Sequence, residues 1–387
     1  MNGTYQKIKF GDLYSIPSRN GLSRPESVRG SGYKMINMGE LFAYDRIGDL
    51  PMELVSMSPR EINDMCVEDG DLLFARQSLV LSGAGKASII ERVQGKTTFE
   101  SHIIRVRLDK NKADPLFYYY YFKSAYSGMR SIVQQGVQAG IRGSDLQKLY
   151  VDYPELPDQK NIVSFVDLYD QLINTNRARL QLLEESARLL FREWFVYFRF
   201  PGHEKVKIVD GILEGWGKGL FVDIAKVRKG KNITFEQAIE GNIPVVGGGL
   251  EPTYYHDKAN VSAPVITISA SGANAGYVNL YNSDIWASDC SYIDKTATKY
   301  IFYIYLKLKS IQSSIFGFQV GAAQPHVYPK DLNRLKILNP PDELINNFEQ
   351  IVSPIFNMVK ILKYQNQKLT QARDLLLPRL MSGAIEV

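Results

Sequence analysis

The chain has 387 residues, 45% of them apolar and 22% charged, with a net charge of +5. That length is too great for one core and fits two or more domains, and no apolar run approaches the ~18 residues that span a bilayer. The start, MNGTYQKIKFGDLYS, has no apolar signal-peptide core, and the only cysteines, Cys66 and Cys290, lie far apart in apolar surroundings; this argues against secretion and a disulfide framework and for a cytoplasmic protein with no membrane partner.

Residues 1–154 form a first mixed block. Its RNGLSRPESVRGSGYK (19–34) has turn composition and predicts a surface loop. GDLLFA (70–75) predicts a strand and SGAGKAS (82–88) a tight turn after it. Residues 115–134 predict a helix whose four consecutive tyrosines, Tyr118–Tyr121, fill a core. Residues 155–196 predict a long helix from about Pro157 to Phe195, with apolar residues at Ile162, Phe165, Tyr169, Leu172, Leu180, Leu183, Leu190 and Trp194. Steps of three and four give one stripe, as in a coiled-coil seam.

Residues 197–341 form a second block. VVGGGLEPTYYHDK (245–258) predicts a surface loop, APVITISA (263–270) a strand, SGANAGY (271–277) a turn, and 298–316 a helix. Residues 342–387 predict a second long helix, from about Asp342 to Met381, striped by Leu344, Phe348, Ile351, Ile355, Met358, Leu362, Leu369 and Leu376. Pro354 is expected to kink it, and Pro378 to bend or end it near Leu376–Leu377. Gly383 then permits a left-handed stop. This end reads as a plain cap or as a docking point for another chain.

The chain is written twice. KIKFGDLYSI (7–16) matches KGLFVDIAKV (218–227), with Lys, Phe and Asp in the same places. GVQAGIRGSDLQKLYV (136–151) matches AAQPHVYPKDLNRLKI (322–337), setting Gln138 against Gln324. LEESARLLFREWF (183–195) matches the LTQARDLLLPRLM run. The predicted class is therefore α+β: two tandem mixed α/β domains, each followed by a long helix. A head-to-tail repeat can fold with pseudo-two-fold symmetry, so that each half presents the same face. The two blocks carry the positive excess, with 20 basic against 17 acidic residues in 1–154 and 15 against 12 in 201–341. That is compatible with two modules facing nucleic acid.

Catalytic motifs fail on inspection. Asn339-Pro340-Pro341 resembles the start of an amino-methyltransferase tetrad, but Asp342 stands where the base-stacking aromatic is needed. Gly83-Ala84-Gly85-Lys86 lacks the first glycine and the hydroxyl residue of a phosphate loop. His102, His203, His256 and His326 have no metal-ligand spacing. A stand-alone methyltransferase or nuclease is thus disfavoured, and a coiled-coil adaptor without sequence readout is the other alternative to DNA recognition.

The block–helix–block–helix order, the ending LLLPRLMSGAIEV, the mid-chain LEESARLLFREWFVYF and EGWGKGLFVDIAKV at the opening of the second block together resemble the specificity subunits of type I restriction–modification systems. The resemblance implies two target recognition domains that each read half of a split DNA sequence, with helices packed as an antiparallel coiled coil between them. It implies double-stranded DNA, two methyltransferase (modification) subunits and restriction subunits as partners. It also implies no catalytic site, cofactor or metal in this chain, with S-adenosylmethionine and ATP on those partners.

Base readout needs Arg or Lys for guanine and Asn or Gln for adenine, with hydroxyls for either. The candidates in the first block are Arg19, Arg24, Arg29, Lys34, Arg76, Ser78, Gln138 and Arg142. Those in the second are Lys229, Lys231, Tyr254, Tyr255, His256, Ser271, Asn274, Gln324 and His326. Because the halves differ in sequence, two unlike half-sites are expected. A helix of about 38 residues is ~57 Å long, so helix length is expected to set the unread spacer between them. Deleting one heptad from both helices should shorten the spacer of the methylated motif; an unchanged spacer would contradict this.

Overall fold

The repeated segments at the two ends of each block pair with one another. In the computed structural model, which describes residues 5–136, 138–209, 211–321 and 325–385, Gln6–Lys9 lies antiparallel to Tyr150–Tyr153 with Ile8 opposite Val151. Gly217–Leu220 lies antiparallel to Lys336–Asn339 with Gly219 opposite Ile337. These are equivalent repeat positions. Each pair leads into a 3-10 turn, Phe10–Leu13 or Phe221–Asp223. The first amide of each turn donates across the pair, Phe10 to the Leu149 carbonyl and Phe221 to the Leu335 carbonyl, both at 2.8 Å. Phe10 and Phe221 are fully buried.

The chain divides into two units. The first holds the described residues up to Asn174 and those from Asn366 onward; the second is Thr175–Gln365. Each unit therefore takes part of both long helices, rather than one block and the helix after it.

In the first unit a five-stranded sheet has the order Tyr14–Asn20, Ile103–Leu108, Leu72–Ala75, Ala87–Ile90, Arg46–Ile47. Leu72–Ala75 and Ala87–Ile90 are buried throughout, as strands covered on both faces must be. The helix Pro115–Lys123 covers one face. Asp114 caps it by accepting from the Leu116 amide at 2.8 Å, and Pro115 fills its first turn. Tyr118–Tyr121 are all buried as expected, and burial pushes their phenol pKa values well above the usual range. The predicted helix over 115–134 continues past Lys123 only as short 3-10 turns. In the second unit Arg228–Lys229, Cys290–Ile293, Val265–Ser269 and Val278–Tyr281 form a sheet in that order. Helix Ile301–Ser310 packs on it, with Tyr303 set among Phe191, Phe195 and Phe348.

The long helices are Leu156–Phe195 and Asp342–Met381, 40 residues each. Within the first unit Asp170 pairs with Arg373, and Asn366 Nδ2 donates to the Ile173 carbonyl at 3.3 Å. Within the second, Lys363 pairs with Glu184 at 3.0 Å and Trp194 packs on Phe348. As one residue number rises the other falls, so the segments run antiparallel in each unit. The first helix buries Ile162, Val166 and Ile173, and the second buries Phe348, Val352, Val359 and Leu362. The predicted stripe is corrected at Leu172, Ile351 and Met358, which are exposed at 52%, 46% and 38%. Each is followed by a buried apolar neighbour, Ile173, Val352 or Val359, and spacing alone does not choose between two adjacent apolar positions.

Neither proline interrupts its helix. Asp342–Met381 is continuous through Pro354 and Pro378, because buried residues on both sides of each proline, Val352 and Phe356, Leu377 and Leu380, hold the backbone in place. Each proline removes one donor. The helix ends as the glycine predicts: Gly383 has φ 71°, its amide donates to the Leu380 carbonyl, and the Ala384 amide reaches back to Arg379. Among the described residues no helix is long and apolar enough to cross a membrane.

Leu377, Leu380 and Met381 join the core of the first unit, and an ionic network fixes them there. Asp170 accepts from Arg373 and, at 2.9 Å, from the Tyr120 hydroxyl. Arg46 pairs with Asp167 and with Glu91 at 3.0 Å, and donates to the same Tyr120 oxygen at 2.6 Å. Burial opposes ionisation of Asp170, but Lys123 and Arg373 outweigh it and hold its carboxyl below the usual range. A carboxylate with a depressed folded pKa stabilises above its unfolded value of about 3.9 and loses that contribution as pH falls through the folded value. Asp170→Asn should therefore cost about 3 kcal/mol at neutral pH and progressively less below pH ~4, read by denaturant titration. An equal cost at pH 7 and pH 3 would contradict the ionic role.

Candidate nucleic-acid interface

In the first unit three short strands, Gln134–Gln135, Ala139–Gly140 and Gln77–Ser78, form an antiparallel sheet in that order. Gly140 stands opposite both Gln134 and Gln77. The Arg76 carbonyl accepts from the Ile141 amide at 2.9 Å, and the Arg76 amide donates to the His102 carbonyl at 2.8 Å. Arg142 caps the helix Gly143–Lys148. The sheet thus gathers Arg76, Gln77, Gln134, Gln135, Gln138 and Arg142 around a groove of about 280 Å³. Arg76 and Arg142 form no ion pair among the described residues. Two guanidinium groups and four amides in one open groove are the donor and acceptor set that reads guanine and adenine edges. Gln77, Gln134 and Gln135 are absent from the predicted readers. The QQGVQ run at 134–138 was the available signal, but only strand register brings it beside Arg76 and Gln77.

The second unit builds the same frame with other side chains. In the first, the Gly85 amide donates to the Ala75 carbonyl; in the second, Gly276 donates to Ser269, both at 2.8 Å. Val327 donates to the Ala270 carbonyl at 3.0 Å, as Ile141 does to Arg76. Ala270 thus stands for Arg76, Ser271 for Gln77, His326 for Gly140 and Tyr328 for Arg142. His326 bridges Ser271 and Val320 and stacks on Tyr328 at 5.9 Å. The Ser271 hydroxyl donates to Asp289. Asn274 sits in the turn, its carbonyl accepting from the Tyr277 amide at 2.9 Å. Gln324 lies outside the described residues.

Beside this frame the sheet of Ile243–Val246, Tyr254–His256 and Trp286–Ala287 carries an aromatic, basic surface. The predicted loop over 245–258 is corrected accordingly, since two of these strands fall in it. Lys229 and Lys231 are exposed and form no ion pair among the described residues; Lys231 lies 6.0 Å from the Trp286 ring. Tyr255 and Phe235 are exposed, and Phe235 meets Tyr254 edge-on at 5.5 Å. The Tyr254 hydroxyl is occupied by the Ile233 carbonyl at 2.6 Å. His256 is buried at 5% exposure; its ring accepts from the Ile239 amide at 3.0 Å and packs on Trp286. A side chain so enclosed braces the sheet.

The stretch 19–34, expected as a loop, is strand at both ends, Tyr14–Asn20 and Arg29–Ile36, and its four cations are each paired with a carboxylate. Arg19 meets Asp64 at 3.2 Å, Arg24 meets Glu61 at 2.6 Å, Arg29 meets Glu53 at 2.7 Å, and Lys34 meets Asp49. The hydrogen bond from Arg24, with help from Ser58, brings the Glu61 carboxyl down to about 2. Paired charges release fewer counterions to a phosphate backbone than free ones.

Ser78 is half-buried, and its hydroxyl accepts from the Val80 amide at 3.2 Å. Lys86 donates to the Leu41 and Phe42 carbonyls at 3.0 and 2.7 Å, a turn-bracing role and not a phosphate-binding one. Asn339 ends a strand, and Asp342 opens the helix and pairs with Lys299 at 2.7 Å. Among the described residues no group of three or more His, Cys, Asp or Glu side chains is placed to hold a metal ion. Cys66 and Cys290 are buried free thiols, and burial pushes Cys290 up to about 12.

Comparison with known proteins gives one family. The family described as the type I restriction modification DNA specificity domain matches residues 2–185 and 214–371. The chain is 23% identical over 363 residues to the type I restriction enzyme MjaIX specificity subunit of Methanocaldococcus jannaschii, across 86% of this chain and 83% of that protein. It is 26% identical over 196 residues to the type I restriction enzyme EcoKI specificity subunit of Escherichia coli, across 48% of this chain and 42% of that one. The S subunit of a type I restriction–modification system from M. genitalium has the same fold, with a TM-score of 0.64 at 16% identity over 98% of this chain and 97% of that chain. With most of its length matched, the chain belongs to the type I restriction–modification DNA specificity family.

Proposed function

We propose that the chain is the non-catalytic DNA-recognition subunit of a type I restriction–modification system, and that each unit reads one half of an asymmetric, two-part duplex target. The observation that carries this reading is the shared frame, which presents Arg76, Gln77 and Arg142 in one unit and Ala270, Ser271 and Tyr328 in the other. Equivalent scaffolds with unlike side chains suit unlike base sequences at equivalent places. In this reading the first half-site contains guanine and adenine, met by Arg76 and Arg142 and by the glutamines, Gln138 among them. In the second unit Lys229 and Lys231 hold phosphates, and Tyr255, Asn274 and His326 face base edges, while Ser271, buried and bonded to Asp289, braces the turn. Arg19, Arg24, Arg29 and Lys34 brace the first unit through their acid partners and touch the duplex only at its margin.

The chemistry then belongs to partners. Two methyltransferase (modification) subunits would bring S-adenosylmethionine, restriction subunits would bring ATP, and both would dock on this chain. Its own work is to choose where they act. Phosphate contacts give affinity without sequence choice, whereas base contacts give choice. The mild charge of +5 favours a protein that discriminates over one that binds every duplex tightly.

Two double variants separate readers from braces, tested in the assembled complex with its modification subunits. Arg76→Ala with Arg142→Ala should relax base choice in one half-site only, with a loss of about 10- to 100-fold per guanine contact. Arg24→Ala with Arg29→Ala should keep base choice and lower the unfolding midpoint. The reverse pattern would return the readout to the 19–34 stretch. Lys231→Ala should weaken binding alike on all sequences and lower the salt slope by about 1; a sequence-selective loss would assign Lys231 to a base.

A further inference from the structure

The loop closed by the Gly85–Ala75 hydrogen bond is three residues longer than its equivalent between Ser269 and Gly276. The frame fixes where the extra length lies. Gln77 pairs with Gly140 as Ser271 bridges to His326, so the insertion follows Gln77. It holds Leu79, Val80 and Leu81, which are exposed at 86%, 59% and 55%. Three consecutive apolar side chains in water are unfavourable, and a turn needs none of them.

The tip is built to be stiff. The Ser78 hydroxyl accepts from the Val80 amide at 3.2 Å, the Gly83 amide donates to the Val80 carbonyl at 3.0 Å, and Leu81–Gly83 forms a 3-10 turn. Gly85 returns the chain with φ 77°. Leu79 therefore stands at the apex of a braced turn. The tip also adjoins the readout groove: Gln77 and Gln138 line that groove and the apolar depression beside Leu79 and Phe42.

We propose that Leu79 is a wedge that enters the DNA base stack beside the first half-site, with Val80 and Leu81 flanking it in the groove. This rests on the reading that the Arg76–Gln77–Gln138 groove faces DNA. A duplex offers apolar side chains the thymine methyls of the major groove and the faces of the bases; three consecutive apolar side chains on one stiff tip exceed what a single methyl covers, and the faces are gained by opening a step and kinking the helix. Pyrimidine–purine steps open most easily, so the wedge adds a preference for such a step that no hydrogen bond encodes. The second unit, without the insertion, has no such element at the equivalent turn.

The test uses the assembled complex with its modification subunits and duplexes carrying the methylated target. 2-Aminopurine is placed in turn at each step of the first half-site, avoiding the methylated base. The wild-type complex should raise the fluorescence severalfold at one step. Leu79→Ala should abolish that rise and the preference at that step, while the hydrogen-bonded positions of both half-sites are still chosen in methylation assays; with a side chain so exposed, folding is not at stake. No rise with the wild type, or an unchanged rise with Leu79→Ala, overturns the wedge and leaves the groove reading intact. Loss of modification-subunit binding in Leu79→Ala would assign the tip to a protein contact and also overturn it. If Arg76→Ala with Arg142→Ala leaves the choice of the first half-site unchanged, the groove reading itself fails, and the wedge with it.

Discussion

The first unit is completed by the end of the chain. Leu377, Leu380 and Met381 enter the core built on Phe10, Phe74 and the tyrosine helix, and Arg373 meets Asp170 next to the Tyr120 hydroxyl. Residues some 200 positions apart in sequence are held by one buried charge network, and an unpaired member of such a network is costly. The helix that delivers these residues must run unbroken through two prolines, which explains the density of buried apolar residues on either side of each. The edge strands, the braced turns and the groove rest on the core that this closure completes.

Much of this was legible in the sequence. The duplication appears as identical strand register at Ile8–Val151 and Gly219–Ile337, the tyrosine run fills a core, and both long helices lie where their periodicity places them. Gly383 stops the chain in the left-handed region as read. The errors have common physical causes. Proline ends a helix that has nothing else to hold it, and here packing on both sides of Pro378 carries the helix on to Met381. Where two apolar residues are adjacent, as at Leu172-Ile173, periodicity gives two stripes and only the partner selects one.

The interface was less legible, because charge in sequence is not charge in space. Arg24 and Arg29 look like free cations in a polar loop, yet Glu61 and Glu53 lie far along the chain and directly beside them in the fold. His256 looks like a surface ring, but strand pairing turns it inward. The glutamines of the groove come from two segments more than 50 residues apart, and no local pattern announces that they meet. What sequence comparison of the halves did supply was the match of 136–151 to 322–337, which sets Ile141 against Val327, whose amides make the equivalent bonds to Arg76 and Ala270 in the frame that both units share.

The central claim is that one frame, occupied by different side chains, makes two different readers. The most direct measurement is a single-molecule methylation map of genomic DNA from cells that carry this chain with its cognate modification subunit, set against cells lacking only this chain. The account predicts a chain-dependent split motif of two unlike half-sites around a fixed unread spacer, with guanine and adenine in one half. A continuous or palindromic motif, or methylation that persists without the chain, would contradict it.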